Sequence, residues 1–192
     1  MRNMTLLSCM LLCACLVVFT PACSYLKRAA SPAGQEHKVI ADTDKQAQAN
    51  IALGEYRKAL EVYSNAYDRY HYPGMQSSYA RTAEQIRTTA DTAYQKKDFA
   101  EAGSIYKTLF ESGITTRDFA QSLSFDDDYL NGQINACSKA LMESGLMKYR
   151  EEKLDEAIAI WKKALVFDPE NTGIKNAIET AALQLQKLKS LK

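Results

Sequence analysis

A fourteen-residue pattern occurs three times in this chain, and no other feature narrows the fold as much. The copies run from Gly54 to Tyr67, Lys97 to Phe110 and Glu152 to Leu165. Six columns agree in character. Bulky residues fill Tyr56, Phe99 and Leu154, then Val62, Ile105 and Ile160, then Tyr63, Tyr106 and Trp161, and last Tyr67, Phe110 and Leu165. A small column holds Ala59, Ala102 and Ala157, and the sixth holds Ala66, Leu109 and Ala164. The columns recur at steps of three, four, seven, eight and eleven residues, so each copy predicts a helix with all six positions on one face. An alanine in the middle of that face lets a second helix approach, and the aromatic one turn later fills the space beside it.

Each copy follows another helical stretch with its own small residue and a later bulky one: Ala47 with Ile51, Ala90 with Tyr94, Gly145 with Tyr149. The unit is therefore a helical hairpin, and Ala59, Tyr63, Ala102, Tyr106, Ala157 and Trp161 form its expected repeat core. These residues resemble the tetratricopeptide repeat family. The third copy carries the likeness best, with Gly145, Ala157, Trp161, Ala164 and Pro169 on the family's spacing and Asp168-Pro169-Glu170-Asn171 as its inter-repeat turn. The resemblance spans Asp42 to Asn171. It implies an all-α fold in which antiparallel helical hairpins stack as a right-handed superhelix.

The spacing departs from the family. Its repeats follow at about 34 residues, whereas Ala59 to Ala102 is 43 and Ala102 to Ala157 is 55. Copies one and two also lack the terminal proline. Longer first helices, roughly Ser77 to Lys96 and Asp127 to Glu151, and a loop from Gly113 to Ser124 absorb the surplus, so the superhelix is expected to be irregular. After Pro169 the stripe Ile174, Ile178, Ala181, Leu185 and Leu188 predicts a last helix that caps the array, as the exposed end of a repeat stack requires; a partner-binding or coiled-coil helix is the alternative. The repeat domain is placed at 39–192, with about three repeats and this cap.

The N-terminus reads differently. Arg2 precedes an apolar run from Met4 to Phe19 that Pro21 ends, too short at about 1.5 Å per residue for the ~30 Å hydrocarbon core. It reads as a signal peptide over 1–22. Thr20-Pro21-Ala22-Cys23 resembles the bacterial lipoprotein box, which implies that Cys23 is lipidated. Cys15, after Leu12-Cys13-Ala14, is the competing acceptor; an ordinary export signal or a retained anchor are the other readings. Ser24 is not acidic, which by the same resemblance favours the outer membrane, facing the periplasm. Residues 23–38, with Ser31-Pro32-Ala33-Gly34, suit a flexible tether. Cys137 is the only cysteine after Cys23, so no disulfide framework can form in the repeat domain.

Charge and motifs exclude more than they assign. The chain has 24 Lys and Arg against 23 acids, and from Cys23 onward the two balance, which argues against nucleic acid as partner. With 46% hydrophobic and 24% charged residues it can bury a core. Phosphate-binding loops, dinucleotide fingerprints and hydrolase or metalloprotease motifs are absent. The expectation is a protein that is not an enzyme, with no cofactor and no metal. Asp126, Asp127 and Asp128 read as a helix start at Ser124-x-x-Asp127 rather than a calcium loop. His71 is expected to pack or face water, and Cys137 to be a buried small residue. The tyrosines around residues 63–72 are either inter-repeat core or an exposed patch.

The family resemblance further implies a concave wall built from the first helices. Carried onto this chain it comprises Asp44, Gln48, Arg87, Asp91, Gln95, Lys139, Met142, Leu146 and Arg150. Its mixed polar and apolar character suits a peptide or helix of a protein partner. By this likeness the chain is expected to be a lipid-anchored scaffold in an envelope assembly, an outer-membrane, pilus or secretion machinery. The tyrosine cluster motivates the alternative partner, peptidoglycan or an exported polysaccharide.

Overall fold

The computed structural model describes residues 32–190, and the expected signal peptide, the expected lipid acceptor Cys23 and residues 23–31 of the expected tether lie outside them. Among the described residues there are seven α-helices and no strands. They are α1 (Pro32–Ala52), α2 (Tyr56–Tyr70), α3 (Pro73–Gln95), α4 (Phe99–Glu111), α5 (Asp127–Arg150), α6 (Leu154–Phe167) and α7 (Thr172–Ser190). None is long and apolar enough to cross a membrane. Helices α1 and α2, α3 and α4, and α5 and α6 pack as consecutive pairs; α5 also packs on α4, and α7 on α6.

Short turns of one construction join the pairs. Gly54, Lys97 and Glu152 occupy the same place and take φ of 73°, 63° and 61°. Each donates its N–H three residues back, to Ile51, Tyr94 and Tyr149, at 2.9, 2.9 and 3.0 Å. Each following residue donates five back: Glu55 to Asn50 at 2.8 Å, Asp98 to Ala93 at 2.9 Å and Lys153 to Lys148 at 3.0 Å. This pair of bonds closes a helix on a left-handed residue and satisfies carbonyls that the helix end leaves open. Only the first copy has glycine where the backbone wants it. Lys97→Gly and Glu152→Gly should therefore each stabilise the protein by about 0.5–1 kcal/mol, read as a higher urea midpoint at unchanged slope.

The core follows the columns. Ala59, Ala102 and Ala157 are fully buried, and Tyr63, Tyr106 and Trp161 are each 1% exposed. The small residues of the first helices, Ala47, Ala90 and Gly145, are buried as well. A Cβ added at Gly145 would overlap the Trp161 indole ring, so the largest ring of the column faces the smallest partner. The ring tips are also bonded: Tyr63 donates to Asp44 at 2.6 Å, Tyr106 to Asp91 at 2.6 Å and Trp161 Nε1–H to the Met142 carbonyl at 3.0 Å.

Three boundaries differ from the sequence expectation. Residues 32–38, read as tether, are the first turns of α1. Proline costs nothing at a helix start, and Ile40 packs where Gly74 leaves room at the beginning of α3. Helix α3 starts at Pro73, a turn before Ser77, again with proline in its first turn. The cap of α5 is Asp126, which accepts from the Tyr129 N–H at 2.8 Å, while Ser124 instead donates to Glu84 through N–H and hydroxyl at 2.5 and 2.8 Å.

The largest departure is the connection between α4 and α5. Expected as a loop, it makes two single-turn 3-10 helices, Ile114–Thr116 and Ala120–Ser122, and buries Ile114, Phe119 and Phe125. The Phe119 ring lies 5.5 Å from both Tyr67 and Tyr79. Arg117 reaches Asp68 at 2.5 Å, and Tyr67 donates to Asp118 at 2.7 Å. The connection is thus a wedge fixed on α2 and α3. At the other end Asn171 accepts from the Ile174 N–H at 3.0 Å to start α7, which buries Ile174 and Ala181 and leaves Leu183 and Leu188 exposed.

Candidate functional site

The first helices α1, α3 and α5 carry the face singled out from the sequence, and the structure divides its nine residues. Asp44, Arg87 and Asp91 are half-buried and bonded internally. Asp44 accepts from Tyr63 and, at 3.5 Å, from Ser78. Burial, and then the bond to Asp44, push the Tyr63 hydroxyl well above the ordinary tyrosine range. Asp91 accepts from Tyr106 of α4 and from Tyr129 of α5 at 2.8 Å, and pairs with Arg87. Arg87 also bonds Glu84 at 2.9 Å, and its guanidinium is held above its usual value chiefly by that bond. Burial pushes the Glu84 carboxyl up, but bonds from the Ser124 N–H, Arg87 and the Ser124 hydroxyl outweigh it and leave it below the ordinary range.

The other members stay accessible. Gln95, Lys139 and Arg150 are exposed and enter no ion pair or side-chain bond among the described residues. Gln48 is exposed and donates to Gln85 at 3.1 Å, joining α1 to α3. Met142 and Leu146 are half-buried against the core. Leu146 and Arg150 border an open cleft of about 530 Å³ between α5 and the start of α4, whose other walls include Lys97, Phe99 and Met147. Met147 is 57% exposed. These three contributors were missed in the sequence because they lie one residue off the stripe or on the neighbouring turn. Asp44 and Gln48 do not line this cleft, so the nine residues do not converge on one groove.

Elsewhere the chemistry is sparse. Among the described residues no group of three His, Cys, Asp or Glu is placed to hold a metal ion. Cys137 is fully buried, and burial pushes its thiol up to about 12. The thiolate is the reactive form, so iodoacetamide should leave the Cys137 peptide unmodified in the native protein and label it only in denaturant, as read by peptide mass spectrometry. Within the tyrosine cluster Tyr63 and Tyr67 are buried and bonded. Tyr70 and Tyr72 are half-buried and stacked on each other at 5.4 Å, with Arg69 over the Tyr70 ring. His71 is exposed and ends α2 in the left-handed conformation.

No protein-family model matches the chain, and comparison with curated proteins returns no significant relative.

Proposed function

We propose that this protein is a non-catalytic adaptor. Its hairpins form an irregular tetratricopeptide-type superhelix, and the exposed part of the first-helix face, continued into the cleft between α4 and α5, holds a peptide or helix of a protein partner. A lipid on Cys23 tethers it to the bacterial outer membrane on the periplasmic side.

The observation that carries the reading is the equivalence of the three hairpins: the same left-handed turn closes each pair, and a buried small residue and a buried ring recur at the same places. Scaffolds of stacked equivalent units present extended surfaces rather than enclosed catalytic pockets. The polar groups left over on that surface, Gln95, Lys139 and Arg150 with Gln48, carry no internal load comparable to that of Asp91, and Met147 adds an apolar anchor of the kind interfaces use.

The test separates binding from folding. Photocrosslinkers at Gln95, Lys139 and Met147 should capture a protein partner in intact cells, and those on the outer face of α2 should not. Replacing Gln48, Gln95, Lys139 and Arg150 together by Ala should reduce partner recovery about tenfold or more, because several interface contacts of about 0.5–1.5 kcal/mol are lost together, while the unfolding midpoint stays within about 0.5 kcal/mol of wild type. Undiminished recovery would remove the first-helix face from the reading. Metabolic palmitate labelling that survives Cys23→Ala and disappears in Cys15→Ala would move the lipid.

A further inference from the structure

Each later hairpin packs on the one before it, and α7 packs on the last, but among the described residues nothing stands before the first. The repeated columns show what that leaves open. Ile105 is 3% exposed and shares a cleft with Tyr56 and Arg57 of the preceding hairpin, whereas Val62, its counterpart in the first hairpin, is only half-buried. Leu109 and Ala164 are fully buried, and Ala66 of the same column is half-buried. Val62 and Ala66 line an open cleft of about 420 Å³ between α1 and α2, to which Val39 and Tyr70 add apolar walls. Asp42, Gln46, Asn65 and Arg69 also line it and are exposed. The end unit of a repeat array needs a polar outer face or a cover.

We propose that a second copy of this chain covers this cleft, the two first hairpins meeting face to face about a twofold axis that runs along it. The inference does not rest on the adaptor reading, which concerns other residues of the first helices.

The charge pattern selects this occupant. The cleft carries one acid on α1, Asp42, and one base on α2, Arg69, and neither enters an ion pair among the described residues. Arg69 lies over the Tyr70 ring at 5.3 Å instead of on Asp42. Such a balanced pair offers no excess charge to a polyanion or a polycation, but it is complementary to itself turned over, as a twofold contact requires. Rotation about an axis along the cleft lays α1 of each copy on α2 of the other. Asp42 of each copy then comes within reach of Arg69 of the other, so the contact is made twice. Gln46 and Asn65, which bond no other side chain among the described residues, are carried toward each other in the same way, and each amide both donates and accepts. Val39, Asp42 and Gln46 on α1 and Val62, Asn65 and Arg69 on α2 share the three-and-four spacing of a helix seam, so each stripe meets one of its own period. A contact of this kind closes at two copies.

Two differently tagged versions of the full chain, produced in the same cells and recovered on one tag, test the proposal. Wild-type copies should co-purify. Asp42→Arg sets arginine against Arg69 on both sides of the axis, so copies of this variant should co-purify about tenfold less, as should copies of Arg69→Asp. Asp42→Arg produced together with Arg69→Asp restores opposite charges at both contacts and should return co-purification to the wild-type level. Both side chains are exposed, so the unfolding midpoints should stay at the wild-type value, which separates a lost contact from a lost fold. The tag identifies the captured molecule as this chain, so the result is independent of any partner of the adaptor face. Wild-type copies that fail to co-purify would overturn the dimer. Single variants that still pair with themselves, or that do not pair with each other, would overturn this face as the contact and give the cleft to the tether or to another protein.

Discussion

Trp161→Ala is expected to lower the unfolding free energy by about 3–5 kcal/mol, the range for removing a buried aromatic, which is a large part of the 5–15 kcal/mol typical of a folded domain. The ring is 1% exposed, tilts against Tyr149 at 6.1 Å and donates to the Met142 carbonyl. Its removal opens a void between α5 and α6 and takes away that second bond to the carbonyl. Gly145 sets the companion experiment. Gly145→Ala alone pushes a methyl group into the indole and should cost about 1–3 kcal/mol by overpacking, even though alanine favours helix over glycine. The other two hairpins carry a buried alanine and a buried tyrosine at the equivalent positions, Ala47 with Tyr63 and Ala90 with Tyr106. The double change Gly145→Ala with Trp161→Tyr therefore restores a pairing the fold already uses. Its cost should fall below the sum of the two single changes by about 1 kcal/mol or more, the coupling expected of residues in contact. Strict additivity in urea unfolding would mean that the three hairpins are not equivalent at this position.

The same comparison shows why the hairpins could be read from the residues and the rest could not. Ala59 and Tyr63 are one helical turn apart, and so are their counterparts, so the burial of both is written in local spacing that a periodicity argument recovers. Phe119 and Phe125 have no such period. Phe119 is buried against Tyr67 and Tyr79, far away in the chain, and the connection that carries both phenylalanines looks like any polar loop containing a glycine. The acidic residues show the opposite limit of spacing. Asp44 and Asp91 lie on the stripe that repeat geometry assigns to the binding face, yet each is the acceptor for a tyrosine hydroxyl from the next helix. Spacing places a residue on a face; it does not say whether a hydroxyl from a partner helix reaches that far. The end of the tether was misplaced for a simpler reason: Pro32 and Gly34 break a helix in its interior but are tolerated in its first turn.

Asp91 is where such bonds have their largest consequence. It joins three helices, accepting from Tyr106 of α4 and Tyr129 of α5 while pairing with Arg87 of its own α3. Asp91→Ala strands two hydroxyls at the junction of the second and third hairpins and leaves Arg87 paired with Glu84 alone. Stranded buried hydroxyls cost about 1–3 kcal/mol each, and the Asp91 side chain is 25% accessible, so water recovers a share. We expect a loss of about 2–4 kcal/mol, with Asp91→Asn in between because its amide oxygen still accepts. Alkaline unfolding supplies a readout that packing damage alone does not produce. Burial first, and the bond to Asp91 second, hold the Tyr106 hydroxyl far above the ordinary value of 10.0, and Tyr129 is raised by the same two causes. Unfolded tyrosines ionise near that ordinary value while these two stay protonated in the fold, so the unfolded state binds fewer protons above it. Stability is fully present below pH 10.0 and declines as pH rises toward the folded values. Removing the Asp91 charge lowers those folded values, so the decline in urea midpoint between about pH 9 and pH 11.5 should be shallower in Asp91→Ala than in wild type. If the two profiles run parallel, the carboxylate is not what holds these protons, and the bonded junction inferred between α3, α4 and α5 is wrong.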